Sequence, residues 1–365
     1  MKILVVGTGT IGKPLIRLFL EVQKQMGVEE IIFHKNLAEP KCRGMLVDFL
    51  RRGAKLAVYK DKMQDFSALL ACFGCWPTYT LEQALERADV VIDCTSKGVA
   101  RKMKENYYSH LSKPGKGFIA QGSEKGFGKP FAFGINDMAL DPQDRFIQVV
   151  SCNTHQILCL LKTLALDPKN KGDLDFGNLI RARFYLGRRA GDVSQEESTI
   201  GVEVGSPSHE FYGSHQAEDA AKVLATLTPD RLDIHSAADI LNNPFMHVVH
   251  FAITVRNPVT VREVEKYFRW NPLIAVTYQK TNNQVFSEGR DRGDSGRILN
   301  QTVVCLPSLE VLSGGHEIIG RCFTPQDGNA LLSSVAATLW LTDPMNYQQR
   351  MVELLFKPPY LFEEV

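Results

Sequence analysis

The rhythm of apolar and polar positions changes near the middle of the chain. Over the first 150 residues, short apolar runs alternate with segments of helical period. Residues 2–6, 30–34, 89–95, 117–122 and 146–150 read as buried strands, and 55–59 as a shorter one. Residues 13–20, 42–50 and 81–88 read as helices between them. Strand–helix alternation of this kind predicts an α/β domain, a doubly wound parallel sheet, over residues 1–150. Beyond it, residues 179–186, 246–255, 301–312 and 316–324 form longer, partly alternating runs with few helices between. They predict an α+β domain with a mostly antiparallel sheet over 151–326. The apolar pattern from Asp327 onward predicts a closing helix within 327–350 that packs back on the first domain. Residues 39–88 are the least patterned.

Composition narrows the class. A chain of 365 residues with 44% hydrophobic and 23% charged residues is ordinary for a globular protein of two domains. A net charge of +1 implies neither a nucleic-acid nor an acidic-membrane partner. No apolar stretch approaches a bilayer-spanning length, and the first residues run straight into a strand, so no targeting segment is expected. Eight cysteines in a chain this long read as reduced thiols, so a cytoplasmic location is expected. Cys72-Phe73-Gly74-Cys75 is a C-x-x-C. With no second pair or histidine at zinc-site spacing, it reads as chance spacing at a helix–loop junction, and no metal site is expected.

Two motifs carry chemistry. The first, Gly7-Thr8-Gly9-Thr10-Ile11-Gly12, lies between the first strand and the first helix. This is G-x-G-x-x-G in the setting that binds a dinucleotide, a Rossmann arrangement. Gly7 allows the tight turn, Gly9 lets a pyrophosphate approach the backbone, and Gly12 lets helix and strand pack closely. The second strand ends in His34-Lys35-Asn36, without the acid that holds a ribose 2′-hydroxyl in many NAD-binding folds. A cation there tolerates a 2′-phosphate, so NADP as well as NAD is a candidate cofactor, unless Lys35 is only a solvated surface residue. The second motif is Ser151-Cys152-Asn153-Thr154, between a strand end and an apolar helical run. Ser151 or Asn153 can cap that helix, which puts Cys152 where free N–H groups and the helix dipole favour a thiolate. Cys152 is therefore a candidate nucleophile for a carbonyl group.

With these residues in place, the chain resembles the archaeal-type (class II) glyceraldehyde-3-phosphate dehydrogenases, part of a wider group of phosphorylating aldehyde dehydrogenases that includes semialdehyde dehydrogenases. The resemblance runs nearly end to end but is patchy. It rests on the Gly7–Gly12 turn, on Asp93-Cys94-Thr95 with Gly98, and on Gln121-Gly122-Ser123-Glu124-Lys125. Its most specific part is Ser151-Cys152-Asn153-Thr154. Arg188-Arg189-Ala190-Gly191-Asp192, Met246-His247, the arginine-containing stretch Glu288-Gly289-Arg290-Asp291-Arg292 (read as a loop) and Gln326 continue it. Two stretches depart from the family pattern, His215-Gln216-Ala217 and Asn243-Pro244-Phe245, and both bear on the aldehyde. Residues 60–78 are extra length, and His155 beside the nucleophile is unusual for the family.

The resemblance implies oxidation of glyceraldehyde 3-phosphate to 1,3-bisphosphoglycerate, and the reverse, with NADP or NAD. Cys152 is the expected nucleophile, His247 the expected general base and Asn153 the expected oxyanion helper. Ser151, Thr154, Arg188, His215 and Gln216 are expected on the substrate and phosphate side. Gly7, Gly9, Thr10, Ile11, Gly12, Lys35, Thr95, Gly122, Arg189 and Gln326 are expected on the cofactor side. Strand alternation puts the rival His250 on the opposite face from His247. The expected partners are the aldehyde and inorganic phosphate, and the resemblance implies a homotetramer. Two other readings stand beside this one: a related dehydrogenase for another phosphorylated aldehyde or a semialdehyde, and a nucleotide-binding sensor homologue without turnover.

Overall fold

The structure is a computed structural model that describes residues 1–111, 115–122, 124–190, 201–325 and 328–365. Among these, fourteen strands form two sheets. The strands are β1 (Lys2–Val6), β2 (Glu30–His34), β3 (Lys55–Val58), β4 (Tyr79–Thr80), β5 (Val90–Asp93), β6 (Gly117–Gln121), β7 (Lys129–Phe131), β8 (Phe146–Val149), β9 (Leu179–Arg189), β10 (Ile234–Leu241), β11 (His247–Val255), β12 (Ile274–Thr277), β13 (Thr302–Leu312) and β14 (Glu317–Thr324). The chain divides into two compact units. One comprises Met1–Lys129, Leu140–Val149 and Ser333–Leu354; the other comprises Pro130–Ala139, Val150–Leu332 and Leu355–Val365. Among the described residues no helix is long and apolar enough to cross a membrane.

The eight-stranded sheet has the order β4-β3-β2-β1-β5-β6-β8-β7, and the pairings from β4 to β8 are parallel. Ile3, Leu4, Val5 and Val6 of β1 are all buried, as a strand covered on both faces requires. Phe118 stacks between Tyr108 and Phe146 at centroid distances of 5.0 and 4.9 Å. Rings of this size bury enough apolar surface to dominate a core. A buried cation closes one helix here. Lys116 Nζ donates to the carbonyls of Leu85 and Glu86 at the C-terminal end of the helix Leu81–Arg87, satisfying acceptors that the helix itself leaves open. Residues 60–78, unreadable in sequence, contain the helix Met63–Leu70 and a turn Ala71–Phe73. Cys72 and Cys75 sit at that turn as free thiols.

The six-stranded sheet has the order β10-β9-β11-β14-β13-β12. It is antiparallel through β9, β11, β14 and β13, with a parallel strand at each edge. Alternate residues of β11 from His247 to Val255 are buried, so one face is covered and the other more open. The buried helix Cys152–Leu161 lies against this sheet through β9 and β14 and also packs on the helix His215–Leu224. The expectation of few helices in this half is corrected. His215–Leu224, Val261–Trp270 and Asn282–Arg292 are all helical. Residues 288–292, expected as an arginine-containing loop, form the last turn and a half of the third. The second of these helices starts with a capping box of Thr260 and Glu263, a signal present in the sequence.

Candidate active site

The chain leaves β8 at Val149, and Ser151 takes the N-cap position of the helix that begins with Cys152. Ser151 does not cap through its hydroxyl. Its Oγ pairs instead with Thr154 Oγ1 at 2.8 Å. Thr154 is fully buried, so the expectation that its hydroxyl meets a bound phosphate is corrected: that hydroxyl faces Ser151. Asn153 is buried, and its Oδ1 accepts from Thr324 Oγ1 at 3.1 Å, which leaves Nδ2 and the backbone N–H as the donors of this residue. The one hydroxyl proton of Thr324 is shared with Gln156 Oε1 at 2.5 Å, and Gln156 Nε2 donates to Thr302 Oγ1 at 2.8 Å. This buried chain of side chains pins the nucleophile's helix to β13 and β14.

The same register places the histidine. His247 is opposite Thr324 across β11 and β14, and residues directly opposite share a face. His247 therefore lies on the face that carries the Cys152 helix, with His250, three residues on, on the other. Leu186 pairs with Val249, so Arg188, two residues beyond Leu186, is also on the face of His247. Its Nε is buried without a partner. The His247 ring is oriented by the backbone, because Arg189 N–H donates to Nδ1 at 2.8 Å. An Nδ1 that accepts leaves the ring proton on Nε2, so His247 presents a donor. Burial, with the Arg189 and Arg188 cations beside it, pushes this imidazole down to about 3. The turn before it is built by the departing residue Asn243. Asn243 O accepts from Ala190 N–H at 3.0 Å, and Asn282 Nδ2 donates to both Asn243 Oδ1 (2.8 Å) and Met246 O (3.0 Å).

Of the other residues expected on the substrate side, His215 opens its helix. Gln216 next to it is buried with Oε1 unpartnered. Arg189, expected on the cofactor side, is a buried residue of the second unit, and its backbone serves His247.

The dinucleotide candidates are in the first unit. Gly7, Thr8, Gly9, His34, Lys35, Asn36, Tyr59, Cys94, Thr95 and Ser96 line a pocket at the carboxyl ends of β1, β2, β3 and β5. Thr10 and Ile11 continue the turn into the helix Gly12–Val22. Gly7 has φ +92°, a conformation that favours glycine, and a Cβ on Gly12 would lie 2.0 Å from the Gly7 carbonyl oxygen. Over Gly9 the space is open. That combination, a pinched turn below and clear backbone above, fits a pyrophosphate. Lys35 lines the pocket but is paired with Glu39 at 3.5 Å. Gly122 is not in the pocket lining; its N–H and carbonyl are taken by Val149 and Gln148. Gln326 lies outside the described residues, as do Ser123, Gly191 and Asp192. His34 and Tyr59 were not read as site residues. Their place at strand carboxyl ends is the signal that would have found them.

Similarity to known proteins points the same way. A protein of Metallosphaera sedula named glyceraldehyde-3-phosphate dehydrogenase is 28% identical over 326 residues, 87% of this chain and 86% of that protein. Proteins of the same name from Sulfolobus acidocaldarius (26% over 87% of the chain and 85% of that protein) and Hyperthermus butylicus (29% over 71% of each) extend the match. The chain is a homologue of archaeal-type glyceraldehyde-3-phosphate dehydrogenases. No protein-family model matches it.

Proposed function

We propose that this homologue is a nicotinamide-dependent aldehyde oxidoreductase that converts glyceraldehyde 3-phosphate and inorganic phosphate to 1,3-bisphosphoglycerate, and the reverse. The observation that carries the reading is the convergence on one sheet face of three groups: Cys152 at a helix start, His247 with its ring fixed, and Arg188 with an unpaired Nε.

In the forward direction the Cys152 thiolate attacks the aldehyde carbon, and the carbonyl π electrons move to oxygen. The first-turn N–H groups and His247 Nε2–H donate to that oxygen. His247 can take up a proton only by giving up the bond from Arg189 N–H, which makes it first a donor and not a base in this geometry. A bound nicotinamide would supply the hydride acceptor; the hydride leaves carbon as the electrons on oxygen re-form the C=O bond, which oxidises the aldehyde to a thioester on Cys152. Phosphate oxygen then attacks the thioester carbon, the C–S bond breaks, and the thiolate leaves an acyl phosphate. Arg188 is suited to that anion because its guanidinium can meet two oxygens at once. Gly7, Gly9, Gly12 and Thr95 would hold the dinucleotide, and Lys35 would meet a 2′-phosphate once released from Glu39.

The altered stretches His215-Gln216-Ala217 and Asn243-Pro244-Phe245 favour a second reading, the same covalent chemistry on another phosphorylated aldehyde or a semialdehyde. Initial rates of nicotinamide reduction, with NADP and NAD and with and without phosphate, test both. Phosphate-dependent turnover of glyceraldehyde 3-phosphate is expected. No turnover of this aldehyde, with turnover of a semialdehyde, replaces the first reading by the second. A cytoplasmic homotetramer completes the proposal; light scattering of the purified chain tests the assembly.

A further inference from the structure

Two buried side chains outside the proposed chemistry grip consecutive carbonyls at the nucleophile's turn. The Ser151 carbonyl accepts twice from one residue, from His155 N–H at 2.9 Å and from His155 Nδ1 at 3.0 Å. The Cys152 carbonyl accepts from Asn329 Nδ2 at 2.9 Å, and the same amide reaches Gln301 O at 3.2 Å. His155 and Asn329 are both fully buried. Asn329 can stand there because residue 328 is glycine: a Cβ at that position would fall 1.8 Å from the Ile298 carbonyl oxygen.

A carbonyl and the following N–H share one rigid peptide plane. Holding the Ser151 carbonyl therefore aims the Cys152 N–H, and holding the Cys152 carbonyl aims the Asn153 N–H. These are first-turn donors, which the helix leaves without intrahelical acceptors. We propose that His155 and Asn329 are positioning residues that fix the two peptide planes of the Cys152 turn, so that the Cys152 and Asn153 N–H groups point at the oxygen of the reacting aldehyde. The proposal rests on Cys152 as nucleophile. It accounts for a histidine beside the nucleophile: its Nδ1–H does for the Ser151 carbonyl what a side-chain cap does for an N–H. Burial pushes the His155 imidazole down to about 4, which keeps it neutral at working pH, and the Ser151 carbonyl beside Nδ1 calls for the single ring proton there.

The test separates aiming from mere packing. Attack on an aldehyde builds charge on oxygen and needs the aimed donors; alkylation of Cys152 by iodoacetamide, read as the plateau rate at high pH where the thiol is fully ionised, builds none. His155→Met removes the donor at similar bulk, and His155→Asn keeps an N–H where Nδ1 was. The burst of thioester formation from glyceraldehyde 3-phosphate is expected to fall about 10- to 100-fold in the Met variant. KM and the alkylation rate should stay within about threefold, and the Asn variant should recover most of the burst. Should the Met variant not fold, Asn329→Ala carries the same expectation. A burst at the wild-type rate, or burst and alkylation falling together, overturns the proposal. Absence of any thioester on Cys152 in the wild-type protein would instead overturn the functional reading. In that case the grip itself is decided by ¹⁵N NMR of the wild-type histidines: an Nδ1–H tautomer at His155 supports it, and an Nε2–H tautomer overturns it.

Discussion

Three histidines are held neutral by burial, and acid should loosen the protein through them. His34 and His155 are pushed down to about 4 and His247 to about 3, from an ordinary 6.5. Their folded pKa values lie below the unfolded one, so as pH falls the unfolded chain takes up protons first. The stability they contribute is complete above about pH 6.5 and is lost as pH falls toward 4. At pH 5 each costs about 2 kcal/mol relative to pH 8. His155 and His247 lie in the second unit, which should lose about 4 kcal/mol, a large part of a typical domain's stability. His34 alone acts in the first unit, where Asp93 opposes it: burial raises that carboxyl, so acid relieves it. Urea unfolding at pH 8, 6.5 and 5 measures this, with Trp270 reporting the second unit and Trp76 and Trp340 the first. pH 5 stays above the range in which the lowered carboxylates Glu30 and Asp239 are lost. The expected result is a steep loss in the second unit and a shallow one in the first. A second-unit midpoint that does not move between pH 8 and 5, or His155 and His247 resonances titrating near 6.5, would refute the reasoning.

Three further outcomes are expected. Gly12→Ala must push its Cβ away from the Gly7 carbonyl, so the turn opens, and dinucleotide affinity measured by cofactor fluorescence should fall at least about tenfold, with about 1–3 kcal/mol of stability lost. Glu39→Gln removes the carboxylate that holds Lys35, so the ratio of kcat/KM for NADP over NAD should rise; an unchanged ratio would show that Lys35 does not reach the cofactor. Lys116→Met keeps the stem but leaves the buried Leu85 and Glu86 carbonyls without the ammonium, and urea unfolding of the first unit should show a loss of about 1–3 kcal/mol.

Local pattern and tertiary pairing divide what was legible in the sequence from what was not. The parallel sheet could be read because a strand covered on both faces is a continuous apolar run, and Gly7, Gly9 and Gly12 announce a turn whose geometry only glycine permits. Cys152 could be placed at a helix start because Val149 and Val150 end a strand just before an apolar helical run. The helix Asn282–Arg292 was missed for the opposite reason: only Val285 and Gly289 of it are buried, so it carries almost no apolar stripe. Its Asn282 nevertheless holds Asn243 and Met246 in place, a role set by contacts far apart in sequence.

The side chains around the nucleophile show where residue type alone misleads. Thr154, two residues past a candidate nucleophile, invites a role in binding, yet it is fully buried and its hydroxyl pairs with Ser151. His155 invites the opposite inference, a core histidine, and is indeed buried, yet it holds the carbonyl that aims the Cys152 amide. A helix mouth offers few outward positions. Here Thr324 holds Asn153 Oδ1 and Thr154 pairs with Ser151, and the first-turn backbone N–H groups are donors whose direction is set by whatever holds the carbonyls behind them. Polar side chains buried behind a nucleophile then act on the reaction without touching it, and their loss should appear in the acylation rate before it appears in substrate affinity.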